Sequence, residues 1–382
     1  MLMGKFVVAI LLLLTTVLFY PLKNNPDFMT RGVRELFAIL ILIPCVCSYL
    51  TWKHNRAISV LVLWIGLTTF VACLTRFLDV FWGVFSVGFL MSLTLIFWFF
   101  NKKTVVKTQY LIKVMAGIAI LTALWGIFQW STGLYWPFKF SLTDLVPVAA
   151  LDNGPNYAAF LAITFPLVCY IHPLATIPLL AGIIISKSMT AFVAALAGMF
   201  FIYPSWKFIA GFCIVLTLFF FAFKTEITNF PSSSLLTRLQ VWEESLKLAY
   251  NKPYIGFGAG SYKVIMPQYM AQRNAKSETR LTSLGHKEVW DNPSNDFIKI
   301  AFEHGFIAVI IVLSGISAIV WRYFNIIKIK ESQILFGSFA ALLIVCSGYS
   351  IFLNPTNAIW AAIIVALLNK ELFIRRENQC LG

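Results

Sequence analysis

Four polar patches interrupt an otherwise apolar sequence, and their residue types could take part in chemistry. Arg238 and Lys187 are cations that could bind a phosphate, although only arginine can make a planar contact through two parallel hydrogen bonds. His286, Asp296 and Glu303 could accept or donate a proton, and the ordinary pKa of histidine lies nearest to neutral pH. Taken singly, none of these residues specifies a reaction.

Some of these patches also have plain structural interpretations. The first, Leu151–Phe160, is typical of a turn that enters a helix with Asn156 as its cap. Lys187 could simply extend its ammonium group to the membrane surface. The Gly256–Gly260 stretch reads GxGxG, but no strand precedes it, so a dinucleotide-binding site is rejected.

Metal and disulfide chemistry have no support in the sequence. The segments that we predict below to lie outside the membrane contain neither a DxD motif nor a Glu/His cluster that could hold a metal ion. The chain has 7 cysteines, without a CxxC pair, and all but Cys380 lie in apolar runs. We therefore predict no metal site, no disulfide framework and no cofactor.

Composition argues against a water-soluble enzyme. Of the 382 residues, 59% are hydrophobic and only 12% are charged, about half the usual charged share of a soluble domain. The net charge is +14, but no basic stripe lies on a soluble domain. We therefore interpret the charge as membrane topology and predict no nucleic-acid partner.

Long apolar runs predict an all-α integral membrane protein with about ten to twelve transmembrane helices. The chain is expected to form a single polytopic membrane domain over residues 1–382. The short runs around Ser186–Ser188 leave a re-entrant hairpin open as an alternative. The runs are Phe6–Tyr20, Leu36–Leu50, Ala57–Leu74, Val80–Phe100, Leu111–Trp130, Tyr157–Ile171, Pro173–Ile185, Ala191–Tyr203, Phe208–Phe223, Phe306–Val320, Ile334–Leu353 and Ala358–Leu368.

The distribution of Lys and Arg predicts that both termini are cytoplasmic. With the N-terminus inside, the inner loops hold roughly twice as many basic residues as the short outer loops, as the positive-inside rule requires. The long polar segment over residues 224–293 is then an extracytoplasmic loop. Such a long loop is exempt from the charge count.

The loop over residues 224–293 is predicted to be mainly helical. Pro231–Tyr250 has the spacing of an amphipathic helix, and Tyr262–Leu284 is expected to form a short helix and a loop. Pro293 and Ser294 then form a helix start with Asp296 in the first turn. The predicted apolar face of the amphipathic helix consists of Leu235, Leu239, Trp242, Leu246 and Ala249.

The patches become specific when their order and spacing are taken together. In chain order they are an Asn-rich turn with Gly154 and Asn156 before a helix that contains Pro166, the loop Ser186-Lys187-Ser188, Arg238 followed by Trp242, Pro253-x-x-Gly256-x-Gly258, and Asn295 before Glu303-x-Gly305. Over residues 152–310 this pattern resembles the O-antigen ligase and O-antigen polymerase superfamily, membrane glycosyltransferases of the bacterial envelope with a GT-C-like helical bundle.

The sequence departs from the family pattern at two positions. Ser294 stands where the family usually carries a histidine, and Lys187 stands where it carries an arginine. Lysine keeps the positive charge but loses the planar contact with phosphate. The missing histidine implies that another residue serves as base, that the enzyme is divergent, or that the chain is inactive.

The resemblance implies metal-independent transfer of a glycan from undecaprenyl diphosphate to a hydroxyl of a glycan, lipid or protein acceptor, in the bacterial inner membrane. The cations that would stabilise the leaving diphosphate are Arg238, Lys187 and Arg280. The catalytic candidates are His286, Ser294, Asp296 and Glu303, of which His286 is the first choice as base. The supporting residues are Asn156, Trp242, Gly256, Gly258 and Asn295.

Two other hypotheses remain open. A multi-span transporter or flippase for lipid-linked glycan should show repeated halves and broken helices at mid-membrane, and neither is visible in the sequence. An inactive relative that only binds lipid-linked glycan is compatible with Ser294. The choice between ligase and polymerase also stays open, because both chemistries use the same motifs.

Overall fold

The computed structural model describes residues 89, 92–94, 96–101, 107–134, 149, 151, 153–203, 232–276, 292–325 and 329–380. Within these ranges the regular structure is entirely helical, without a strand. The α-helices are α1 (Thr108–Thr132), α2 (Gly154–Ile171), α3 (Ile177–Ile185), α4 (Met189–Ile202), α5 (Ser232–Ala249), α6 (Tyr262–Lys276), α7 (Asp296–Phe324), α8 (Lys330–Gly348) and α9 (Pro355–Cys380). Short 3₁₀ helices, Pro173–Thr176 and Ile351–Leu353, precede α3 and α9.

Five of the described helices are long and apolar enough to cross a membrane: Thr108–Thr132, Gly154–Ile171, Asp296–Phe324, Lys330–Gly348 and Pro355–Ile374. Large apolar side chains of α1, among them Leu121 and Phe128, are exposed, as suits a surface in contact with lipid. The predicted class of all-α integral membrane protein is confirmed. Four predicted runs, Phe6–Tyr20, Leu36–Leu50, Ala57–Leu74 and Phe208–Phe223, and much of Val80–Phe100, lie outside the described residues. The count of ten to twelve spans therefore stays a prediction.

The described helices belong to two compact units. The first unit contains α1 to α4, α8, α9 and the end of α7 from Ile319 onwards. The second unit contains α5, α6 and α7 up to Ala318. The predicted single membrane domain over residues 1–382 stays a prediction.

Helix α2 is the core of the first unit and is buried along most of its length. Tyr157 fills a space bordered by two glycines, since a Cβ at Gly182 would lie 2.5 Å from its hydroxyl oxygen, and a Cβ at Gly126 would also meet its ring. Its hydroxyl donates a hydrogen bond to the Ala123 carbonyl at 3.0 Å. Residues without a side chain on α1 and α3 thus let a large aromatic ring join three helices.

Helices α4 and α8 approach each other at the level of their backbones. A Cβ at Gly198 would lie 2.8 Å from the Gly337 carbonyl oxygen, and a Cβ at Gly337 would lie 2.5 Å from the Gly198 carbonyl oxygen. Pro166 of α2 packs beside the same contact. Small residues at such crossings allow close van der Waals packing, which is a main source of helix association in lipid.

In the second unit, α6 packs against α5 and α7 through an aromatic and methionine cluster. The buried members of this cluster are Tyr262, Ile265, Met266, Met270 and Phe302. The described part of the predicted loop, residues 232–276, is helical apart from the turns between α5 and α6. Its apolar face was predicted only in part, because Ala249 is buried as predicted, whereas Leu239 is 47% exposed and Val241 and Ser245, which were not predicted, are buried.

Polar contacts define one end of the first unit. Asn357 Nδ2 donates to the Asn156 carbonyl at 3.1 Å, which brings the starts of α2 and α9 together. The Ser188 and Tyr349 hydroxyls lie 2.9 Å apart, which joins the start of α4 to the end of α8. By the distribution of basic residues, we predict that this end faces outward.

Reporter fusions would check this topology. We expect a reporter fused after Ser277 to be extracytoplasmic and one fused after Gly382 to be cytoplasmic, because the basic loops stay inside. Alkaline phosphatase and green fluorescent protein at each position provide complementary readouts. A cytoplasmic signal at Ser277 would contradict the orientation.

Candidate functional site

Helix α7 is broken at Gly305, and a loop from the α5–α6 connection covers the break. Gly305 has φ 77° and ψ 172°, far from helical values. The Phe257 amide donates to the Phe302 carbonyl at 3.0 Å, and the Gly258 amide donates to the Glu303 carbonyl at 2.7 Å. The loop therefore satisfies backbone groups that a continuous helix would have paired internally.

The glycines of this loop are required by close backbone contact. Gly256 has φ +63°, and a Cβ there would lie 2.5 Å from the Glu303 carbonyl carbon and oxygen. A Cβ at Gly305 would collide with the Tyr254 carbonyl, and the Phe306 amide donates to the Pro253 carbonyl at 2.7 Å. The Pro-x-x-Gly-x-Gly motif is thus a docking loop for the broken helix.

Glu303 lies directly under the docking loop and is only 5% exposed. Its Oε1 accepts a hydrogen bond from the Tyr262 amide at 3.4 Å, and the Gly260 amide also points to the carboxylate. These amides lie at the beginning of α6, where a helix favours negative charge. The neighbouring His304 is buried as well.

The start of α7 is capped by Asn295. Its Oδ1 accepts hydrogen bonds from the Phe297 amide at 3.0 Å and the Ile298 amide at 3.1 Å. The helix therefore begins at Asp296, later than the predicted start at Pro293 and Ser294. Ser294 has a left-handed backbone with φ 51°, and Asp296 is buried in the first helical turn.

Trp242 connects α5 to this helix start. Its indole Nε1 donates to the Pro293 carbonyl at 2.7 Å. Arg238 is four residues earlier on α5, and residues with this spacing share a helix face. The structure thus attaches α5, one turn after Arg238, to the residue that precedes Ser294.

Lys187 lies in the first unit, at the turn between α3 and α4. It is exposed and has a left-handed backbone with φ 55°. Ser188 caps α4 by accepting a hydrogen bond from the Ala191 amide at 3.2 Å. The predicted convergence of Lys187 with Arg238 and Asn295 stays a prediction.

The sequence pattern predicted Asn156 as the cap of α2, and this prediction was wrong. The cap is Asn153, whose Oδ1 accepts a hydrogen bond from the Asn156 amide at 2.8 Å. Asn354 caps the start of α9 in the same way, with the Asn357 amide as donor at 3.1 Å. The pairing of these two starts was missed, although both have the signal Asn-x-x-Asn with a proline in the first turn.

The remaining candidates lie outside the described residues. These are His286 and Arg280. The residues that the structure covers contain no group of three or more His, Cys, Asp or Glu side chains that could hold a metal ion. Metal independence stays a prediction.

The middle of the chain is similar to a known protein family. The family model described as O-Antigen ligase matches residues 174–313. This match contains the Ser186–Ser188 turn, the Arg238–Trp242 pair, the docking loop and the break at Gly305, and it begins after the Asn156 turn. No curated protein matches the chain. Residues 174–313 are therefore similar to the O-antigen ligase family, which supports the resemblance predicted from the sequence and, in general terms, a membrane glycan-transfer function.

Proposed function

We propose that this protein transfers a glycan from undecaprenyl diphosphate to an acceptor hydroxyl at the outer face of the bacterial inner membrane. The observation that carries the proposal is the Trp242–Pro293 hydrogen bond, which fixes the Arg238 helix beside the Ser294–Asp296 turn. In this proposal a cation for the phosphate, Arg238, and a polar helix start for the hydroxyl act at the same site. The acceptor is a glycan, lipid or protein, and both termini are cytoplasmic.

Arg238 is proposed to bind the diphosphate of the donor. When the glycosidic bond breaks, the diphosphate gains negative charge, and a preorganised cation in a water-poor site stabilises that charge. Lys187 and Arg280 are proposed as further cations. The reaction needs no metal ion in this proposal, because the cations take over its electrostatic role.

The acceptor hydroxyl must lose a proton as its oxygen attacks the sugar carbon. His286 is the first choice as base, and Asp296 is a further, unranked candidate. Asn295 is proposed to support this region by fixing the first turn of α7, where its side chain accepts hydrogen bonds from the Phe297 and Ile298 amides.

An exchange of histidines would check the choice of base. Replacing His286 with alanine should lower the transfer rate by about 100-fold, a typical contribution of a general base. Ser294→His in that background should restore activity, because histidine is among the residues that tolerate the left-handed backbone of position 294. Initial rates of both variants give the measurement. Unchanged activity in His286→Ala, together with a gain in Ser294→His alone, would contradict the assignment.

A purified-protein assay would test the proposed function. The protein in nanodiscs is incubated with an undecaprenyl-diphosphate glycan carrying a labelled sugar and, in separate reactions, with lipid A core, a protein acceptor or a second lipid-linked glycan. Transfer of label to one of these acceptors, with and without a chelator, supports the proposal and distinguishes ligase from polymerase.

The same assay separates the alternative functions. Movement of the labelled lipid across proteoliposomes without a new glycosidic bond would indicate a flippase. Binding of the labelled lipid without transfer to any acceptor would indicate an inactive relative. Ser294, which stands where the family usually carries a histidine, is compatible with this outcome.

A further inference from the structure

We propose that Glu303 acts as a positioning residue that holds α5 and α7 in register, and that it is not an acid or base. This inference rests on the proposed function, because the elements it positions carry Arg238 and Asp296. A carboxylate in this motif could equally be read from the sequence as a proton-transfer group. The contacts around Glu303 favour the positioning role.

The Glu303 carboxylate already has hydrogen-bond donors within the protein. The side chain is 5% exposed, and its Oε1 takes the Tyr262 amide at 3.4 Å. The docking loop covers the adjacent backbone, since the Gly258 amide donates to the Glu303 carbonyl at 2.7 Å. A proton-transfer group must instead come within hydrogen-bond reach of its substrate.

Tyr262 connects Glu303 to α5. The amide of Tyr262 contacts Glu303, and its hydroxyl lies 2.8 Å from the hydroxyl of Ser245 on α5. Its ring packs edge-on against Phe302, with centroids 4.9 Å apart. Tyr262 is fully buried, so each of these contacts is held away from water.

Helix α5 is consequently attached to α7 at two points. The first is the Trp242–Pro293 hydrogen bond at the start of α7. The second is the Ser245–Tyr262–Glu303 chain, about 10 Å further along α7 at 1.5 Å per residue. A single attachment point would allow α5 to rotate about it. Two attachment points fix the direction of α5 and thereby the position of Arg238 relative to Asp296.

Glutamine at position 303 separates the two roles. Its side-chain oxygen can still accept the Tyr262 amide, but it cannot transfer a proton. Glu303→Gln should therefore lower the transfer rate by less than about tenfold, the worth of one weakened hydrogen bond. Its pH–rate profile should have the shape of the wild-type profile. Glu303→Ala should lose more than about 100-fold, because it leaves buried amides without an acceptor.

Hydrogen exchange provides a readout that does not depend on activity. In Glu303→Ala the amides of residues 260–262 should exchange faster than in the wild type, and in Glu303→Gln they should stay protected. Tyr262→Phe keeps the amide contact and loses only the Ser245 bond, so it tests the same chain in a variant that disturbs the core less. We expect it to lower transfer by about tenfold and to speed exchange in α5.

The outcomes distinguish this inference from the proposed function. An inactive Glu303→Gln with wild-type exchange protection, or one that loses a limb of the pH profile, would assign proton transfer to Glu303 and overturn the positioning role. Wild-type exchange at residues 260–262 in Glu303→Ala would overturn it too, even in a protein that transfers no glycan. A wild-type protein without transfer activity would count against the proposed function alone.

Discussion

Replacing Arg238 with alanine should abolish glycan transfer while the protein remains folded in the membrane. Arg238 shares its helix face with Trp242, whose indole is fixed 2.7 Å from the Pro293 carbonyl. Loss of a preorganised cation that stabilises a leaving group typically costs on the order of 100- to 1,000-fold in rate. Arg238→Lys should retain part of the activity, because the charge survives while the planar contact is lost. The measurement is the initial rate with labelled undecaprenyl-diphosphate glycan.

Lys247 offers a matched control on the same helix. It lies nine residues after Arg238 and therefore on the opposite face. Hydrogen bonds to Glu243 and Glu244, at 2.6 and 3.0 Å, raise the pKa of Lys247. Lys247→Ala should leave the rate within about twofold, because the Lys247 side chain is largely exposed and the buried Glu244 keeps the Tyr269 hydroxyl as a hydrogen-bond donor. Equal transfer rates in Arg238→Ala and the wild type would contradict the proposal that Arg238 binds the diphosphate.

Alanine at Gly305 should strongly destabilise the protein. The backbone there, φ 77° and ψ 172°, is essentially restricted to glycine, and the strain for another residue is about 1–3 kcal/mol. The new methyl group would also collide with the Tyr254 carbonyl of the docking loop. Gly256→Ala should behave similarly, since its Cβ would lie 2.5 Å from the Glu303 backbone. Thermal unfolding in detergent gives the measurement.

Gly315, further along the same helix, is the control for this effect. A Cβ there would have no heavy atom within 4 Å, and alanine is preferred over glycine inside a helix by about 1 kcal/mol. Gly315→Ala should therefore match or exceed the wild-type unfolding temperature. If Gly305→Ala unfolds at the same temperature as Gly315→Ala, the docking of the loop on the broken helix is not important for stability.

Hydropathy predicted the helices well where apolar residues fill them and poorly where they do not. The run Leu111–Trp130 became Thr108–Thr132, an extension of a few residues at each end. The run Phe306–Val320 became Asp296–Phe324, because charged and polar residues such as Lys299 and Glu303 interrupt the apolar residues in the turns before Gly305. Those turns are stabilised by the Asn295 cap and by the docking loop, and the latter is a contact between segments distant in sequence.

The order of the motifs in the candidate site could be predicted from the sequence, but the contacts between their side chains could not. The buried face of α5 includes Glu244 and Ser245, which bond to the hydroxyls of Tyr269 and Tyr262. A search for apolar spacing passes over such polar residues, because their burial depends on partners that only the folded chain provides. The spacing of Arg238 and Trp242, in contrast, follows helix geometry and was visible in the sequence.

The contact between Gly198 and Gly337 has a consequence for how the protein is made. Helix α4 leaves the ribosome long before α8, so the glycine surface of α4 lacks its α8 partner until more than a hundred further residues have been synthesised. Helices in lipid insert first and associate afterwards, and a glycine surface attracts no partner other than a closely fitting one. A nascent chain that stops before Lys330 would therefore expose the part of the α4 surface that α8 covers. We expect membrane proteases to remove such fragments faster than chains that include α8.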